Sequence, residues 1–148
     1  MPNRSELKKL AINRIEEAKA LHKSGFYDSA IYIAGYSIEL ALKAVICKKL
    51  DWVEFTPKNL RSETAKVFKI HDFLTLAILG GVWSKIETET SINPVFQANC
   101  NMISKWSEGQ RYDAIGTNDK TKSKDFIDAI ENSTDGVFFP LKNDGKNE

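Results

Sequence analysis

The sequence predicts an all-α protein, an antiparallel helical bundle. Three observations predict it. The segment Ser5–Lys23 carries apolar residues at helical spacing. The segment from Phe26 to about Leu50 is apolar on most of its circumference and holds no proline. No alternating apolar–polar pattern of the kind a strand needs survives beyond a few residues, and the connections are short.

In the first helix, Leu7, Leu10, Ala11, Ile15, Ala18 and Leu21 form the apolar face and the other face is charged. Ser24-Gly25 stops it, glycine being the usual residue just past a helix end. The second helix is the expected centre of the bundle. Within it the run GYSIELALKA, Gly35 to Ala44, holds Glu39 and Lys43 four residues apart in otherwise apolar surroundings. At 100° per residue, Asp28, Tyr32, Tyr36, Glu39 and Lys43 fall within an arc of about 80°, so the polar residues form one stripe. Gly35 beside that stripe would let another backbone come close.

Asp51–Lys69 contains Pro57 and reads as a long connection with a short helical turn. Lys58, Arg61, Lys66 and Lys69 make it the most basic region, either a solvated loop or a phosphate contact. Asp72–Leu79 is a short helix with Asp72 as its cap, ended by Gly80-Gly81. A further helix is expected from about Asn93 to Ser107, with Pro94 in its first turn. The stretch EGQRYDAIGTNDKTKSK reads as polar and flexible, and a last helix runs from about Lys124 to Asn132. A single domain over residues 1–135 is expected, followed by a tail, 136–148, that is partly disordered.

Composition narrows the function. The 148 residues suffice for one core, and 42% apolar with 28% charged residues is ordinary for a soluble globular domain. The formal net charge of +1 gives no global field toward nucleic acid or membrane. Cys47 and Cys100 lie in apolar stretches without CxxC spacing and read as buried reduced thiols. The N-terminus is polar, and the longest apolar run is interrupted by Glu39 and Lys43; a cytoplasmic protein without a membrane partner is the expectation. With two histidines, no HExxH, no Cys/His cluster and no Gly-rich phosphate loop, no metal and no cofactor is expected.

Three places remain as candidates for chemistry. Glu39 and Lys43 have the i,i+4 spacing of a helix ion pair, local or at a dimer interface; the alternative is direct ligand contact. His71 is either a capping or core histidine or lines a polar cleft with Glu39. In WSEGQRY, Arg111 and Tyr112 with Trp106 either cover a core edge or bind phosphate and stack a base.

Together these pieces resemble the HEPN domains, small helical bundles named for higher eukaryotes and prokaryotes nucleotide-binding. The likeness covers roughly residues 5–132 and rests on four features. These are the amphipathic first helix leading into SGFYDSAIYIAGYSIELALKAVI, the basic connection into FKIHDFLTL, the late WSEGQRYD, and the size. The pattern SxELxLKA is the most specific of them. The resemblance implies an antiparallel up-and-down bundle of four to five helices, usually a homodimer and often found beside a minimal nucleotidyltransferase in toxin–antitoxin or defence systems. It also implies, for one class of members, a metal-independent ribonuclease using an arginine followed four to six residues later by a histidine. This chain departs from that motif: after Arg111 come YDAIGTND, Arg14 precedes His22 by eight positions, and Arg61 precedes His71 by ten. The expectation is therefore a module without catalytic residues that binds a nucleotide, RNA or a nucleotidyltransferase partner through Tyr36, Glu39, Lys43, His71, Arg111 and Tyr112. The tyrosines would stack or hydrogen-bond, Lys43 and Arg111 would meet phosphate, and Glu39 would orient His71. The alternatives are a divergent ribonuclease using His71 with Arg111, and an oligomerisation module without a ligand.

Overall fold

Helix α1 spans Arg4–Lys23 and begins on a reciprocal cap. Asn3 Oδ1 accepts the Glu6 amide at 2.9 Å, while Glu6 Oε2 accepts the Asn3 amide at 2.8 Å. It buries Leu7, Ala11, Ile15 and Ala18, the stripe its spacing predicts. The chain then reverses through Gly25, whose φ of +85° suits a residue without a Cβ. Helix α2, Tyr27–Lys49, packs along α1 and is also touched by the later helices. Its buried Ala30, Ile31, Ala34, Ile38, Leu42 and Ile46 make it the core helix. Removing Leu42 from water contributes about 2 kcal/mol, and its side chain is fully covered.

The computed structural model describes residues 2–132, 134–138 and 141. Among them are seven α-helices and one 3₁₀ helix, Glu108–Tyr112. Beyond α2 the α-helices are α3 (Ser62–Phe68), α4 (Phe73–Leu79), α5 (Trp83–Ile92), α6 (Pro94–Ser104) and α7 (Lys120–Glu131). The fold is all-α, as expected. Helices α4 and α7 close over α2, and α6 packs on both α5 and α7.

Several boundaries differ from the sequence reading, each for a physical reason. Helix α5 was not expected, because WSKIETETSI is polar, rich in β-branched residues and buries only Ile86. Helix α6 stops at Ser104 instead of Ser107, and the chain turns there into the 3₁₀ helix. Helix α7 starts at Lys120, ahead of the expected Lys124, because Asp119 caps it by accepting the Lys122 amide at 2.8 Å. The connection after α2 has its own apolar knot: Phe55 is fully buried, and Trp52 and Phe68 meet it edge-on. Lys58, Arg61, Lys66 and Lys69 stand on the surface there. Val137, Phe138 and Leu141 are buried in the core, so packing runs past residue 135. The rest of the expected tail, 139–140 and 142–148, lies outside the described residues.

Helix α2 is long and apolar enough to cross a membrane by length and composition, but 67% of its apolar window is buried inside the fold. That matches the part of a core helix.

Candidate functional site

The polar stripe of α2 is where the fold collects its unusual side chains. At its N-terminal end Asp28 holds the loop before α7. Its carboxylate accepts the Gly116 amide at 2.7 Å, the Asn118 amide at 2.8 Å and the Asn118 side-chain amide at 3.0 Å. The Gly116 and Asn118 backbone bonds hold the Asp28 pKa below its ordinary 3.8. The stretch read as flexible is thus pinned to α2.

One turn along, the Tyr32 and Tyr36 hydroxyls are 3.2 Å apart. The Trp106 ring meets Tyr36 edge-on at 5.0 Å and tilts toward Tyr32 at 6.1 Å. Burial, then the bond to Tyr32, raises the Tyr36 pKa, so its hydroxyl is neutral. Trp106 reaches this position only because residue 35 is glycine: a Cβ there would stand 2.1 Å from the indole. The close approach expected at Gly35 comes from a side chain, not from a backbone.

Two turns further lies Glu39, 5% exposed. Its Oε1 accepts Lys43 Nζ at 2.6 Å and its Oε2 lies 2.7 Å from His71 Nδ1. The ion pair is local to this chain, and the carboxylate is satisfied on both oxygens, as burial of a charge requires. Lys43 also stands 5.3 Å from the centroid of the Phe55 ring. His71 sits just ahead of α4, whose cap is Asp72, accepting the Thr75 amide at 2.8 Å. Its Nε2 faces Glu108 Oε2 at 2.9 Å. His71 therefore bridges α2 to the 3₁₀ helix, with a carboxylate on each ring nitrogen. Only the doubly protonated ring can donate to both.

The same 3₁₀ helix carries Arg111 and Tyr112. Both are exposed, and the Arg111 guanidinium lies over the Tyr112 ring, 4.9 Å from its centroid. The Tyr112 and then the Tyr32 hydroxyls beside Arg111 raise its pKa further, so its charge is permanent. The six residues named from sequence thus form one chain of contacts. Tyr36, Glu39, Lys43 and His71 make an inner node, and Arg111 and Tyr112 make an outer rim joined to it through Tyr32 and Glu108. Sequence reasoning missed Glu108, which carries no periodic signal, and gave Tyr32 no role beyond the stripe. The inner cavity beside Gly35, Glu39, His71 and Trp106 has a volume of only ≈ 10 Å³, room for about one water.

Away from this stripe, polar side chains also tie elements together. His22 Nδ1 meets the buried Ser123 hydroxyl at 2.9 Å, joining α1 to α7. Cys47 and Cys100 are buried free thiols, and burial pushes Cys100 up to about 12 and raises Cys47. Among the described residues, no group of three or more His, Cys, Asp and Glu side chains is placed to hold a metal ion.

An all-α domain with a polar seam along its central helix defines a class, and comparison narrows it. Residues 5–58, which hold α1, α2 and the start of the connection, match the model of the HEPN domain. The family is in general nucleotide- and RNA-related and recurs in toxin–antitoxin systems. The matched segment includes Tyr36, Glu39 and Lys43 and ends before His71, Arg111 and Tyr112. Comparison with the curated proteins and with solved structures gave no match.

Proposed function

We propose that this protein is a non-catalytic HEPN module that binds a phosphate-bearing ligand, a nucleotide or RNA, at the rim formed by His71, Arg111 and Tyr112. The observation that carries this reading is the line of contacts from the buried Glu39 through His71 to the exposed Arg111–Tyr112 pair. Arg111 supplies a fixed fork of donors for phosphate, and the Tyr112 ring supplies a stacking face. Glu39 orients His71, and Lys43 neutralises Glu39 from behind rather than meeting the ligand.

Cleavage is not part of this reading. With a carboxylate on each ring nitrogen, His71 is arranged to donate from both rather than to accept a proton as a general base would. The family's histidine after the arginine is also missing. Within a toxin–antitoxin or defence system the protein partner would be a minimal nucleotidyltransferase. A homodimer belongs to the reading too. Since α2 is covered within its own chain, that contact would use exposed apolar side chains such as Leu74 and Ile78 on α4.

The test is a tagged pull-down from the native host, with mass spectrometry and an RNA stain on the same eluate. Bound RNA that is lost with Arg111→Ala supports the reading, and a stoichiometric nucleotidyltransferase names the protein partner. An eluate holding this chain alone contradicts it and leaves self-assembly.

A further inference from the structure

We propose that Glu108 is an internal competitor for the ligand: its carboxylate occupies the anion site on His71 Nε2 that a phosphate ester takes when it binds. The inference rests on the reading above and names how the same site is gated.

Three observations carry it. First, the two carboxylates on His71 are not equivalent. Glu39 is 5% exposed and shared with Lys43, whereas Glu108 is 43% exposed on a 3₁₀ helix that buries no residue. Glu39 is a fixed part of the fold; Glu108 can swing into water at little cost. Second, the ring that Glu108 covers is itself 37% exposed, so an outside anion can reach it once the carboxylate leaves. In the doubly protonated ring both nitrogens donate, Nδ1 to Glu39 and Nε2 to whichever anion faces it. Third, Glu108 and Arg111 lie three residues apart on a 3₁₀ helix. Residues at that spacing stack along one side, about 6 Å apart along the axis. A phosphate replacing Glu108 at His71 is therefore presented on the side of the helix that carries Arg111. The Tyr32–Tyr36 pair joins both ends, with Tyr36 6.3 Å from the His71 ring and Tyr32 beside Arg111.

The charged and titratable groups facing His71 are Glu39 and Tyr36 from α2 and Glu108 from the 3₁₀ helix. Lys43 acts on it only through Glu39. The exchange is one of acceptors: a carboxylate oxygen leaves Nε2 and a phosphate oxygen replaces it, with no covalent change.

The experiment titrates the full chain with AMP, with adenosine and with a short single-stranded RNA at one fixed ionic strength. Glu108→Gln keeps the side-chain size and removes the competing charge. It is expected to tighten AMP or RNA binding about tenfold, the scale of one charge-assisted hydrogen bond, and to leave adenosine unchanged. Asp113→Asn makes the same change of net charge on the exposed residue that follows the 3₁₀ helix and is expected to give a much smaller gain. Adding His71→Ala to Glu108→Gln is expected to cancel the gain. Tightening for AMP alone identifies a mononucleotide as the source of the phosphate, and tightening for RNA alone identifies the polymer. If wild type binds and Glu108→Gln matches it, or matches Asp113→Asn, or keeps its gain without His71, the competitor role is overturned and the binding reading stands. If neither wild type nor Glu108→Gln binds any phosphate probe, both fall.

Discussion

The two long faces of α2 do opposite kinds of work. One face presents Ala30, Ile31, Ala34, Ile38, Leu42 and Ile46 to the core. The other presents Asp28, Tyr32, Tyr36, Glu39 and Lys43, and each of these has a named partner from another part of the chain or from the same stripe. The apolar face holds by volume and area, which many side chains can supply. The polar face holds by specific pairings, and a buried carboxylate there is tolerated only because both its oxygens are taken. The difference teaches where to look for function. One carboxylate buried at such cost, Glu39, is joined through His71 to a rim that carries an exposed arginine and tyrosine.

Substitutions on the two faces should separate stability from binding. The largest effect is expected from Leu42→Ala on the apolar face, a loss of about 4 kcal/mol in chemical denaturation. Whatever protein remains folded should bind RNA as wild type does. Glu39→Ala on the polar face should cost about 3 kcal/mol, since it strands Lys43 and His71 without their shared carboxylate. Unlike Leu42→Ala it should also weaken ligand binding in the folded fraction; unchanged binding would reduce the stripe to a structural seam.

A smaller effect is expected at Gly35→Ala, about 2 kcal/mol of overpacking. Its Cβ displaces the Trp106 ring, so the near-ultraviolet circular dichroism of the tryptophans should change while helix content does not. An unaltered tryptophan spectrum would break the link between Gly35 and the rim. The smallest is Asp28→Ala, about 1 kcal/mol because the carboxylate is largely solvated. Hydrogen exchange should quicken at Gly116 and Asn118 and stay slow in α1. The folded pKa of Asp28 is depressed, so its contribution is present above 3.8 and is lost as pH falls through the lower folded value. Acid titration of wild type should therefore release the 116–118 amides before the core unfolds.

Much of this contrast is written in the sequence. The stripe follows from 100° per residue, and α1 and α2 follow from apolar spacing and from Gly25 between them. The Glu39–His71 contact was one of two readings of His71, the other being a capping or core histidine. What was not legible lacks periodicity. Helix α5 buries only Ile86 and writes no apolar stripe, and α3, which buries nothing, showed only as a short helical turn in the connection. Phe55 reaches the core from an irregular connection, and no local rule marks it as buried. The place of Glu108 depends on how a 3₁₀ helix folds back over a histidine 37 positions earlier. The start of α7 could have been read from Asp119, a good cap, but its first turn, KTKS, is wholly polar.

The central claim is that the rim joined to the polar face of α2 is where the ligand binds. The most direct measurement is an amide chemical-shift map of the full chain titrated with short single-stranded RNA and, separately, with AMP. The account predicts shifts concentrated at Tyr36, Glu39, His71 and residues 108–112, with α5 and the N-terminal turns of α1 unmoved. Shifts centred on the basic surface of Lys58, Arg61, Lys66 and Lys69 with a silent rim, or no shifts with either ligand, would contradict it.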